Sequence, residues 1–161
     1  VWDTLAIAEY LAERFPQLAL WPQGRSERAT ARSLCAEMHA GFAALRSIFP
    51  MNIEASFPEV GEKALREQPG LARDLARLDA MWSGALETSG GPFLFGTFGI
   101  VDAYYAPVCT RLRTYGVELP GGSQAYVQRM LELPAQQEWD QAARAEADFL
   151  QVDEPYRVAR G

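Results

Sequence analysis

Histidine and cysteine are scarce in this chain, which holds one of the first and two of the second in 161 residues. A lone His39 with no second histidine and no clustered acids gives no metal set. Cys35 and Cys109 fall on separate expected helices, so neither a metal cluster nor a secreted disulfide framework is indicated, and both read as reduced core thiols of a cytoplasmic protein. Excess positive charge is lacking too. Fifteen basic against twenty-one acidic side chains leave a net charge of -6, with no basic stripe to follow a phosphate backbone, which argues against a nucleic-acid partner. The longest apolar run, Ala103 to Cys109, is far short of the ~20 residues of a membrane span and contains Pro107. The first residues, Val1-Trp2-Asp3-Thr4, include neither a starting methionine nor a basic segment. They read as the start of an internal fragment, not as a signal peptide.

Strand patterning is missing as well. No stretch alternates valine, isoleucine and threonine with period two, and no repeat or low-complexity tract is visible, so the expected fold is all-α, an irregular helical bundle. Apolar residues three and four apart mark the helices, with proline and glycine at the seams. A first short helix is expected from Thr4 to Phe15, with Thr4 as its N-cap and Pro16 as its stop. Ala31, Leu34, Met38, Phe42, Leu45 and Phe49 predict one long helix over 25–49. The segment 51–68 carries mixed signals and is expected to be partly helical. Leu71, Leu75, Leu78, Trp82 and Ala85 predict a helix over 69–87. Another is expected over 100–115, interrupted by Pro107, which removes a backbone donor. Two shorter helices over 123–132 and 134–146 follow, and the remaining tail over 147–161 is expected to be extended or loosely ordered.

Four stretches, taken together and in order, resemble the glutathione S-transferase superfamily, its bacterial cytosolic members most of all. Val1 to Leu11, with Asp3-Thr4 followed by Ala6-Ile7 and Tyr10-Leu11, looks like the last helix of that family's thioredoxin-like domain, where serine is usual in place of Thr4. Arg32 to Phe42, with Glu37-Met38-His39, followed by Leu45-Arg46 and Pro50-Met51-Asn52-Ile53, is similar to the first long helix of the all-helical domain. Phe98 to Val108 looks like the family's N-capping box and core helix, with Asp102 in the acidic position and Gly99 where serine or threonine is usual. Leu133-Pro134, Trp139 and Ala142 to Glu146 look like the penultimate helical stretch. The implied organisation is residues 1–16 as the last helix of a thioredoxin-like glutathione-binding domain, 17–150 as the C-terminal helical domain, and 151–161 as a tail.

The resemblance implies glutathione as co-substrate. A helix N-terminus offers unpaired N–H groups and partial positive charge to a carboxylate, and a neighbouring acid can hold an ammonium. The resemblance implies that Asp3 and Thr4 hold the γ-glutamyl end, which this physics fits, and the role is compatible with simple helix capping. Met38, His39, Phe42, Tyr104 and Tyr105 are candidates for the electrophile pocket, since the family's first long helix and capped helix border it, although such side chains more often belong to a core. Gly99 and Asp102 are assigned a folding role: a carboxylate three residues into a helix reaches back to the capping N–H. With glycine at the cap the reciprocal bond is lost, so Gly99→Ser is expected to stabilise by a few tenths of a kcal/mol. No catalytic residue is assigned. The family's thiol-activating serine, tyrosine or cysteine lies near the start of the thioredoxin-like domain, outside this sequence. The expected activity of the longer protein is transfer of the glutathione thiolate to a small hydrophobic electrophile, or isomerisation or reduction of one, by a homodimer. A non-catalytic protein-docking module of the same fold is the other reading.

Overall fold

The computed structural model describes residues 1–146, 149–151 and 154–157. Among them are eight α-helices, a short 3-10 turn at Pro16–Leu18 and one isolated bridge between Phe93 and Gly96. The fold is all-α. The chain divides into two compact units, one made of Val1–Phe42 with Leu78–Tyr105, the other of Ala43–Arg77 with Ala106–Gly161.

The first unit opens with α1 (Thr4–Arg14). Its cap is Asp3, not the expected Thr4: Asp3 sits at φ 75° and its Oδ1 accepts from the Leu5 N–H at 2.9 Å. Aspartate visits positive φ more readily than a β-branched threonine, and its carboxylate reaches the second helical N–H. Thr4 thereby becomes the first helical residue. Next comes α2 (Arg25–Ala40), which begins after Gly24 and buries Ala31, Leu34, Cys35 and Met38. Helices α5 (Pro69–Ser89) and α6 (Ile100–Thr114) start at Pro69 and Ile100. Within this unit Trp82 and Tyr105 are fully buried and meet edge to face at 5.4 Å.

The single helix expected over 25–49 is two. Between α2 and α3 (Ala43–Ile48) the chain turns at Gly41 and Phe42, the latter at φ 54°. A Cβ on Gly41 would lie 2.7 Å from the Glu37 carbonyl oxygen, so the close approach needs glycine. The apolar spacing continues across the break because Phe42, Leu45 and Phe49 all remain buried. Periodicity reports burial and is blind to a turn that preserves it.

In the second unit, Asp74 accepts from the Leu45 N–H of α3 at 2.9 Å, satisfying one of the donors a helix start leaves open. The mixed segment resolves into α4 (Pro58–Glu67), with proline at its first position. Gly61 lets α4 come against α6: a Cβ there would meet the Tyr115 carbonyl oxygen at 1.8 Å. Tyr115 stacks on Phe49 at 4.3 Å and donates to the Pro50 carbonyl. Helices α7 (Gly121–Glu132) and α8 (Pro134–Ala145) close the order. Arg113 of α6 is paired with Asp140 of α8 at 2.6 Å. Of the expected extended tail, Tyr156 donates to the Ile48 carbonyl, and Arg157 pairs with Glu54 and Glu154. Residues 147, 148, 152, 153 and 158–161 lie outside the described residues.

Candidate functional site

Sequence distance hides the pairing that builds the first unit's polar cluster. Arg32 of α2 grips Glu9 of α1 through two bonds of 2.7 Å. His39 follows Arg32 by seven residues, two helical turns, and so lies on the same face of α2. It reaches the N-terminus of α1, with Nδ1 3.4 Å from Thr4 Oγ1 and Nε2 3.4 Å from Asp3 Oδ2. The imidazole thus bridges Asp3 and Thr4. The side chains of His39 and Asp3 are 42% and 44% exposed, which leaves the cluster open to a ligand.

Tyr104, on the second turn of α6, completes the group from below. Its hydroxyl is shut off from solvent, and among the described residues none meets it in hydrogen-bonding geometry. Burial pushes this phenol above the ordinary tyrosine value. The Thr4 hydroxyl, near enough to act on it though outside bonding geometry, opposes the shift, while Cys35 and Asp3 add to it. Four of the candidate residues, Asp3, Thr4, His39 and Tyr104, therefore come together. The cluster sets an acceptor (Asp3) beside a hydroxyl at a helix N-terminus, where partial positive charge collects.

The other pocket candidates sit deeper. Tyr105 is fully buried and donates to the Leu34 carbonyl at 3.1 Å, so it has no surface to offer a ligand. Met38 and Phe42 are 9% and 6% exposed and belong to the core of this unit. Asp102, 1% exposed, accepts from the Gly99 N–H at 2.9 Å and from the Leu94 N–H at 3.2 Å. It ties the loop before α6 to the helix start with both carboxylate oxygens.

Sequence reasoning had no signal for Trp21. Together with Pro22, Gly24, Phe98 and Asp102 it lines an open cleft of about 330 Å³, separate from the Asp3 cluster, and the Arg32 guanidinium lies 5.7 Å from its ring centroid. Tryptophan in a linker between helices shows no periodicity to reveal what it packs on. Cys35 is fully buried and its thiol is pushed up to about 12, by burial first and then by the charges of Asp102 and Glu9. It is a core thiol, not a nucleophile. Among the described residues no group of three or more histidine, cysteine, aspartate or glutamate side chains could hold a metal ion, and no helix is long and apolar enough to cross a membrane.

The chain is thus all-α, with a polar cluster at the N-terminus of α1 and a buried helix whose start is tied by Asp102. The model of the glutathione S-transferase C-terminal domain matches residues 28–145. Among solved structures the chain is similar to a glutathione transferase homolog from Burkholderia gl BGR1 with bound glutathione. It is 29% identical, covers 91% of this chain and 69% of that one, and superposes with a TM-score of 0.53. The chain belongs to the glutathione S-transferase family, with the C-terminal helical domain over most of its length.

Proposed function

We propose that this chain carries one corner of a glutathione site, with Thr4 and the N-terminus of α1 holding the γ-glutamyl carboxylate and Asp3 holding its ammonium. The observation that carries this reading is the convergence of Asp3, Thr4 and His39 at one open helix start, in a family of which one solved homolog holds glutathione. In this reading α1 is the last helix of a thioredoxin-like domain. Its exposed Ile7, Tyr10 and Leu11 suit cover by the rest of such a domain, since only Ala8 of α1 is buried. The activity is that of a glutathione transferase acting on a small hydrophobic electrophile, as a cytoplasmic homodimer.

Titration of the chain with glutathione, followed by amide NMR, tests the site. Shifts are expected at α1 and at His39 with millimolar affinity, and Asp3→Asn or Thr4→Val is expected to weaken binding about tenfold or more, the worth of one hydrogen bond to a charged group. An unchanged spectrum at tens of millimolar, or full affinity in both variants, overturns the assignment. The chain by itself is expected to show no appreciable turnover of a model electrophile, because the family's thiol-activating residue belongs to the thioredoxin-like domain and is not among residues 1–161. Measurable conjugation above the uncatalysed rate would sink that expectation.

A further inference from the structure

A buried hydroxyl with no partner is costly, and native folds keep few of them outside functional places. Among the described residues Tyr104 carries one in the first unit, near the residue assigned to the ligand carboxylate. Of the side chains that act on this phenol, only Thr4 does so as a hydrogen-bonding group; Asp3 and Cys35 act through charge. Thr4 Oγ1 has one proton to give and two lone pairs to receive with. In the unliganded chain that oxygen lies 3.4 Å from His39 Nδ1.

We infer that Tyr104 is a positioning residue for γ-glutamyl recognition: on ligand binding its buried O–H donates to Thr4 Oγ1, leaving the threonine's own proton for the ligand carboxylate. This rests on the proposed assignment of Thr4 and adds a residue that does not itself touch the ligand. A ligand carboxylate competes with His39 for the Thr4 proton. A small turn of the threonine about χ1 then closes the tyrosine–threonine bond. The polarised chain Tyr104 O–H, Thr4 O–H, carboxylate strengthens each link in a setting of low dielectric. Ligand binding in this way gives the buried Tyr104 donor an acceptor.

The test compares the chain with its Tyr104→Phe variant in titrations with glutathione and with an analogue lacking the γ-glutamyl α-carboxylate. Tyr104→Phe removes only the hydroxyl. Its glutathione affinity is expected to fall about five- to tenfold, with the analogue's affinity unchanged and the melting temperature unchanged or raised. On a Thr4→Val background the same substitution is expected to have no further effect, since the relay is already cut. Unaltered glutathione affinity in Tyr104→Phe overturns the inference. So does an equal loss for both ligands together with a lower melting temperature, which is the signature of a packing role. If the unsubstituted chain gives no response to glutathione at all, the assignment of Asp3 and Thr4 fails and takes this inference with it. Binding that is intact while Tyr104→Phe is silent leaves that assignment standing and removes the inference alone.

Discussion

Gly99 shows how one carbonyl can reverse the sign of a substitution. Capping preference alone favours serine there by a few tenths of a kcal/mol. A Cβ at this position would lie 3.0 Å from the Leu20 carbonyl oxygen, the same atom that accepts the Ile100 N–H at 3.1 Å. The added carbon must displace that carbonyl and loosen the bond that holds the first N–H of α6 to Leu20. Gly99→Ser is therefore expected to destabilise by about 1 kcal/mol, the lower end of overpacking costs, and a thermal melt should show a drop of a few degrees. A rise in melting temperature would restore the simple capping argument. Cys35 is a second case decided by one atom's surroundings. With the thiol held near 12 by burial, roughly one part in ten thousand is thiolate at about pH 8. Iodoacetamide should leave Cys35 unmodified in the native chain and label it once denaturant is added. Rapid labelling of the native chain, located by mass spectrometry, would contradict the buried placement. Asp102, in contrast, was legible from its spacing alone, because the reach from the third helical residue back to the cap is a local geometry that needs no tertiary information.

Among the helices, α4 and the end of α6 depend on a side chain that is not there. Gly61 carries no Cβ, and the Tyr115 carbonyl occupies the place one would take, at 1.8 Å. Gly61→Ala should raise the intrinsic helix propensity of α4 and still destabilise, by about 2 kcal/mol or more, since backbone, not a flexible side-chain end, must move. Urea unfolding with a midpoint equal to or above that of the unsubstituted chain would show that α4 is free to shift away. Helix existence was readable for α1, α5, α6, α7 and α8, where apolar spacing and breakers agree. The joint between α2 and α3 was not, because Phe42 keeps the apolar register while adopting φ 54°. Nor was the cap of α1, where Asp3 and Thr4 are both good capping residues and only the backbone angle chooses between them.

For the molecule as a whole, four groups respond to alkali in the same direction. Cys35, Tyr104, Tyr115 and Tyr156 are all raised from their ordinary values, with burial the largest cause in each. The folded chain thus keeps protons that the unfolded chain gives up. The stability these groups carry is fully present below the unfolded thiol value of 9.0 and is lost as the pH climbs toward about 12. The urea midpoint should be lower at about pH 10.5 than at about pH 7, and equal midpoints would argue that these side chains are solvated.

Sequence alone determined the all-helical class, the family, and which side chains are chemically able to serve at the start of α1. Each of these follows from local rules, namely apolar period, capping geometry and the ordered motifs. Only the tertiary structure brought His39 to Asp3 and Thr4, thirty-six and thirty-five residues away. It also left Tyr104 unsatisfied beneath them and sent Tyr105, its neighbour in the chain, into the core. Adjacent residues on a helix differ by about 100° in direction. Which of two tyrosines serves a site and which fills the interior is set by what packs against each face, and that is a property of the folded chain.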